Sequence, residues 1–383
     1  MSVARDLQAL LGSAENTAAL REIYARVIER ILAELAAGVT RPGMARAREV
    51  LAKVRELAAQ LDPRKDGAVR RWIQSEFAKA YYLGDAAAIE GIEAARDRAP
   101  EARGNLVPIP TGAFTAINQL QLRATVAALS DRLHDVQRQI LTKAGLFVRR
   151  TQLVFAQDAE VRSHIVGGII RGQTHREVAT DIARTILTGK LSPAAAQRMR
   201  DAGFAGDLEL FRQIGHGQMV TVGQKTMDVR NYSDLVARTM AAEAHRIGTV
   251  TRLQQSGINH VRISRHQQAV EDECTLYAGR VFYVGAGVDA LGFPSLRDVA
   301  GSGPPWHPHC AHVVEAWVAA LKPQSTIDAA REDAGLLPAA AFGTSVKEAR
   351  QLVEVLKKTG RLVAVAPKGA QDVKHEPPKK GAA

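Results

Sequence analysis

Between Leu20 and Leu35 the apolar residues Leu20, Ile23, Tyr24, Val27, Ile28, Ile31, Leu32 and Leu35 recur in alternating steps of three and one. That spacing lines one face of an α-helix and cannot line one face of a strand. A stripe this wide must be buried against something of its own kind. The chain supplies the partners. After Gly38 and Pro42, Val50, Leu51, Val54, Leu57 and Leu61 give a second helix that ends before Asp62-Pro63, and the two read as a hairpin. A third covers VRRWIQSEFAKAYYLG, with Trp72, Ile73, Phe77, Tyr81 and Tyr82 on its apolar side and Gly84 as its stop. From Phe114 to Phe147 a long fourth helix carries Ile117, Leu120, Val126, Leu129, Leu133, Val136 and Ile140. Aromatic residues are only 5% of the 383, so the first half is expected to be helices with small side chains.

The helical texture is interrupted by a Pro-rich linker near 98–112 and by short helices over 151–205, one of them opened by Thr174 and Glu177 as a capping box. Near 206 the pattern changes. GHGQMVTVGQKTMDVRNY alternates like a hairpin, with Val220, Val222, Met227 and Val229 around a Gly-Gln turn. A helix follows from Tyr232 to a stop at Gly257, then a strand with Ile258, Val261 and Ile263, and another in RVFYVG. The expected fold is therefore mainly α, with long N-terminal helices (1–150) and a compact α+β module at residues 206–320, its short strands packed around a helix. Residues 321–383 give two helices, STIDAAREDAGLLP and SVKEARQLVEVLKK, and a Lys- and Pro-rich tail expected to lack order.

The chain carries 51 Lys+Arg against 40 Asp+Glu, a formal +11 with a pI near 9.8. Such a balance suits polyanionic surroundings, nucleic acid above all. It also suits a helical protein with many surface arginines, and Arg132, Arg138, Arg149 and Arg150 fit either reading. Two cysteines argue against a disulfide-built secreted scaffold. No basic-then-apolar leader and no apolar run near ~18 residues is present, so neither a secreted precursor nor a membrane-spanning chain is expected.

Both cysteines fall where chemistry would concentrate: Cys274 in VEDECTLYAG and Cys310 within HPHCAH. Cys274, His307, Cys310 and His312 offer the thiolate and imidazole donors of a tetrahedral zinc site, with Pro308 stiffening the turn. Cys274 has no second Cys or His within four residues, so the paired spacing of a zinc finger is missing. Two other readings stand beside it: small buried cysteines with histidines bonded to loop backbone, and a thiol nucleophile, Cys310, with His307 and Asp272 or Glu273. The glycines of GAGVDALGF and GHGQMVTVG lack a P-loop lysine and read as turns, and no H-E-x-x-H helix occurs.

The stretch from GQKTMDVRNYSDLVARTMAAEAHRIG through ISRHQQAVEDECTLYAGRVF, a Gly-rich loop and PPWHPHCAH resembles the conserved module of tailed-phage minor capsid proteins, the Mu F-like head morphogenesis and minor capsid protein 2 families. The matching positions are Tyr232, Arg238, Thr239, Gly257, Val261, Ser264, Cys274, Gly279, Val281, His307, Pro308, Cys310 and His312, and the resemblance covers roughly residues 160–320. Many such proteins carry two cysteines where this chain has only Cys274, and end in Cys-x-Cys where it has Cys310-x-His312. The resemblance implies a non-enzymatic virion protein in several copies. It would bind the portal inside the head, act in head assembly, meet the major capsid protein or packaged double-stranded DNA, and hold no cofactor beyond one structural zinc.

Overall fold

The computed structural model describes residues 14–39, 44–99, 116–157, 209–210, 213–265, 272–307, 310–338, 341–343 and 345–358. The linker from residue 100, most of the 151–205 segment, Pro308 and the tail past 358 lie outside them. The chain is mainly helical, with a small antiparallel sheet late in the sequence.

Helix α1 (Ala14–Val39) buries Leu20, Tyr24, Val27, Ile28, Ile31 and Leu35, the stripe its sequence demands. Helix α2 (Met44–Ala59) packs on it through Val50, Val54 and Leu57. A short α3 (Ala68–Trp72) runs through a π turn (Ile73–Phe77) into α4 (Ala78–Arg98). Gly84 therefore does not stop a helix. It lies within α4 because a neighbouring backbone needs the space a side chain would fill: a Cβ at Gly84 would sit 2.0 Å from the His245 carbonyl oxygen. Tyr82, expected on the buried face, is instead 48% exposed. Helix α5 (Ala116–Gln157) buries Leu129, Leu133, Val136, Ile140 and Phe147, while Ile117 and Leu120 at its start face outward.

Strands β1 (Val220–Val222) and β2 (Lys225–Met227) pair Val220 with Met227 around the Gly223–Gln224 turn. The hairpin rests on α5, where Gln139 Oε1 accepts from the Thr221 amide at 2.7 Å. Val229, read as part of the hairpin, is the first residue of α6 (Val229–Gln255), because Asp228 caps that helix by accepting from the Arg230 amide at 2.7 Å. Gly257, at φ +70°, ends α6 with a left-handed residue that glycine takes without a Cβ penalty. The strand expected from Ile258 is β3 (His260–Ile263), Ile258 being a buried residue just before it. Strand β4 (Val281–Tyr283) lies on one side of β3 and β5 (Val314–Ala316) on the other, both antiparallel. Helices α7 (Gln324–Gly335) and α8 (Val346–Lys358) follow.

Helix α6 ties the two halves together. It runs against α4 so closely that a Cβ at Gly248 would come 2.3 Å from the Tyr81 carbonyl oxygen. One turn on, buried Arg252 forks onto Asp85 at 2.7 and 2.9 Å, and Asn118 of α5 donates to the same carboxylate at 3.1 Å. A network satisfied at each link fixes the register of three helices rather than merely holding them.

His245 lies on the same face, buried, and its Nε2 meets no hydrogen-bond partner among the described residues. Burial pulls its pKa from 6.5 to about 4. The unfolded chain takes up that proton near pH ~6.5 and the folded chain only near 4, so the associated stability is complete above 6.5 and drains as pH falls toward 4. The expected loss is about 3 kcal/mol. Denaturant unfolding across this window should show it, and His245→Leu should flatten the slope; an unchanged slope in the variant would assign the loss to other groups.

Candidate metal centre

The turn that carries Cys274 is a 3-10 helix, Glu273–Leu276, opened by a reciprocal cap. Asp272 accepts from the Cys274 amide at 2.9 Å, and the Thr275 hydroxyl accepts from the Asp272 amide at 3.2 Å. The turn closes at Gly279, which has φ +82° and the Arg265 guanidinium against its open face. Cys310 arrives from the opposite direction. Beyond the β3–β5 ladder, Ser264 and Val313 exchange two further hydrogen bonds, amide to carbonyl and amide to hydroxyl, each 2.9 Å. This extension sets down His312 and Cys310 beside the turn. A bond from the Cys310 amide to the His307 carbonyl at 3.0 Å folds His307 back toward the same place.

Three of the four side chains singled out from the sequence thus converge, while His307 groups with Cys274 and Asp272 instead. Cys274 Sγ lies 3.8 Å from Cys310 Sγ, and Cys310 Sγ lies 3.7 Å from His312 Nδ1. The sulfurs are far outside the ~2.05 Å of a disulfide, and both cysteines are free. Zinc bonds of ~2.3 Å to sulfur and ~2.0–2.1 Å to nitrogen at tetrahedral angles would place two sulfurs ~3.8 Å apart and sulfur and nitrogen ~3.6 Å apart. The observed edges match that figure. The donor atoms of Cys274, Cys310 and His312 all lie within 4.8 Å of one another, and so do those of Asp272, Cys274 and His307.

Cys274 belongs to both groups, so His307 lies beside the first through that sulfur. Its Nε2 is 3.2 Å from Asp272 Oδ2. A metal-bound histidine commonly donates its second ring N–H to a carboxylate in this way, which fixes the ring and leaves the other nitrogen for the ion. Asp272 thus orients His307, a role that a metal ligand and a general base would both use.

Electrostatics favour one negative charge on the sulfur pair. A hydrogen bond from Cys274, then contacts from His312 and the Trp306 and His312 amides, hold the Cys310 thiol well below its usual pKa against the effect of burial. The Cys274 thiol is pushed up, first by its bond to that sulfur and then by burial.

Cys274, Cys310 and His312 are 0%, 8% and 3% exposed. Trp306 covers them: it stacks on Tyr277 with centroids 5.0 Å apart, stands edge-on to His312 at 5.9 Å, and donates Nε1–H to the Ala300 carbonyl at 2.8 Å. The remaining motif residues serve the frame. Thr239 back-bonds to Leu235, Arg238 pairs with Asp234 at 3.2 Å, Tyr232 packs half-buried against the helical core, and Val261 and Val281 are buried in β3 and β4. Two features were missed from the sequence. Strand β5 is three residues long and carries Glu315 outward, too short to show an alternating pattern. The pairing of Glu273 with Arg350 of α8, at 2.5 and 2.9 Å, joins residues 77 positions apart, and no local signal announces it.

No family model, curated protein or solved structure matches this chain.

Proposed function

We propose that this chain is a structural minor capsid protein of a tailed phage, bound to the portal inside the head and acting in head assembly. Its α+β module would be closed by one zinc ion on Cys274, His307, Cys310 and His312. One observation carries the reading. Residues that bear the family resemblance, spread over the sequence from Tyr232 to His312, serve a single frame whose strands and turns bring Cys274, Cys310 and His312 to one buried seam, with the partly exposed His307 beside Cys274. A closing staple needs donors shielded from water; a catalytic zinc keeps an open position and a nucleophilic thiolate needs access. Burial behind Trp306 favours the staple.

The setting agrees with the rest of the molecule. The +11 charge suits a protein lodged beside packaged DNA, where phosphate neutralisation is independent of sequence. The long N-terminal helices offer faces to the portal, to the major capsid protein or to further copies of the chain. No helix among the described residues is long and apolar enough to cross a membrane.

Co-purification with the portal protein of the same phage tests the proposal. The expected result is a complex that survives sizing at low and moderate salt. Failure to associate at either salt, with both proteins folded, would overturn it. Steep salt-dependent binding of free duplex without portal association would point instead to a DNA-binding protein.

A further inference from the structure

We infer that occupation of the metal centre and docking of the C-terminal helix α8 are thermodynamically coupled through the 3-10 turn Glu273–Leu276, so that loss of the ion releases α8. The inference rests on the metal centre proposed above and concerns its regulation.

The turn has two working sides. On one, Cys274 presents its sulfur to the donor cluster, and Asp272, which caps the turn, holds His307. On the other, the Glu273 side chain is fully buried and receives the Arg350 guanidinium as a fork. The next residues continue the connection. Tyr277 stacks on Trp306 and donates its hydroxyl to the Ala341 carbonyl at 2.8 Å, just ahead of α8. Ala349 and Val353 of α8 share one core with Cys274, Leu276 and Trp306.

Helix α8 is held through one face, with Val346, Leu352 and Leu356 partly buried against the same core. Among its 13 residues only Ala349 and Val353 are buried, and Val355 is 55% exposed. A helix of this length is marginal in water without tertiary support. An ion that fixes Cys274 and His307 fixes the seat of α8. Without the ion, a four-residue turn with the buried Cys274 thiol in its core has one side unsupported. Linkage requires the converse: whatever weakens α8 docking weakens metal binding by the same factor.

Hydrogen exchange by mass spectrometry on the full-length protein, with zinc content measured on the same samples, tests this. With zinc bound, amides of 346–358 should be protected. After chelation they should exchange about tenfold faster while α1 and α2 stay unchanged. Arg350→Ala should keep one zinc per chain but bind it about tenfold more weakly in competition with a chelating dye, and Arg350→Lys should fall between. If zinc binds yet α8 exchanges equally with and without it, and Arg350→Ala leaves the affinity unchanged, the coupling is wrong and the metal centre stands. If purified and zinc-supplemented protein both hold no zinc, the metal centre falls and the coupling with it.

Discussion

Gly248→Ala is expected to cost about 3 kcal/mol or more, among the largest effects available to so small a change. The new methyl would point at the Tyr81 carbonyl, 2.3 Å from its oxygen, with the Asp85 amide nitrogen at 3.1 Å on the same side. Both are backbone atoms of α4, so no side chain can swing aside; the helices must separate. Separation stretches the Arg252–Asp85 fork one turn further along and disturbs Asn118, so the loss spreads to a third helix. Gly145→Ala in α5 is the control. Nothing lies within 4 Å of its added methyl, and the change should stabilise the chain by up to about 1 kcal/mol through helix propensity alone. Denaturant midpoints of the two variants should move in opposite directions. A Gly248→Ala protein as stable as wild type would mean that α4 and α6 do not meet this closely.

Removing a proposed metal donor is the second large perturbation. Cys310→Ala takes away the sulfur at the centre of the cluster, which sits 3.8 Å from Cys274 and 3.7 Å from His312. A structural ion contributes its binding free energy to folding, so the variant should lose the metal and about 4 kcal/mol or more of module stability. The loss should be local. Trp306 and Tyr277 report it through fluorescence, while α1, α2 and α5, with their own core, should persist. An enzyme built on Cys310 would behave otherwise, losing an activity while melting as before. Unchanged melting together with unchanged metal content would remove Cys310 from the ligand set.

The helices were legible because their signal is periodic and local. Six of the eight residues of the stripe from Leu20 to Leu35 are buried and Ile23 and Leu32 partly so, and the Gly-Gln hairpin turn and the stop at Gly257 follow from backbone chemistry that any window of a few residues reveals. The errors share a cause. Gly84 and Tyr82 were assigned from helix chemistry alone, but their roles depend on whether α6 passes overhead, which no window around them contains. The donor set could be named from residue type, yet the sequence left three readings open, since Cys274 and Cys310 meet only through the β3–β5 pairing and its extension at Ser264. The 3.8 Å sulfur separation and the Asp272–His307 contact join segments more than thirty residues apart, so no local window shows them.

The claim that this buried cluster is a structural metal centre is tested most directly by elemental analysis and zinc-edge X-ray absorption on the full-length protein, purified without chelators. The predicted result is close to one zinc per chain, in a four-coordinate shell of two sulfurs at ~2.3 Å and two nitrogens at ~2.0–2.1 Å. A protein that is metal-free as purified, takes up no zinc when supplied with it, and melts at the same temperature either way would contradict the account.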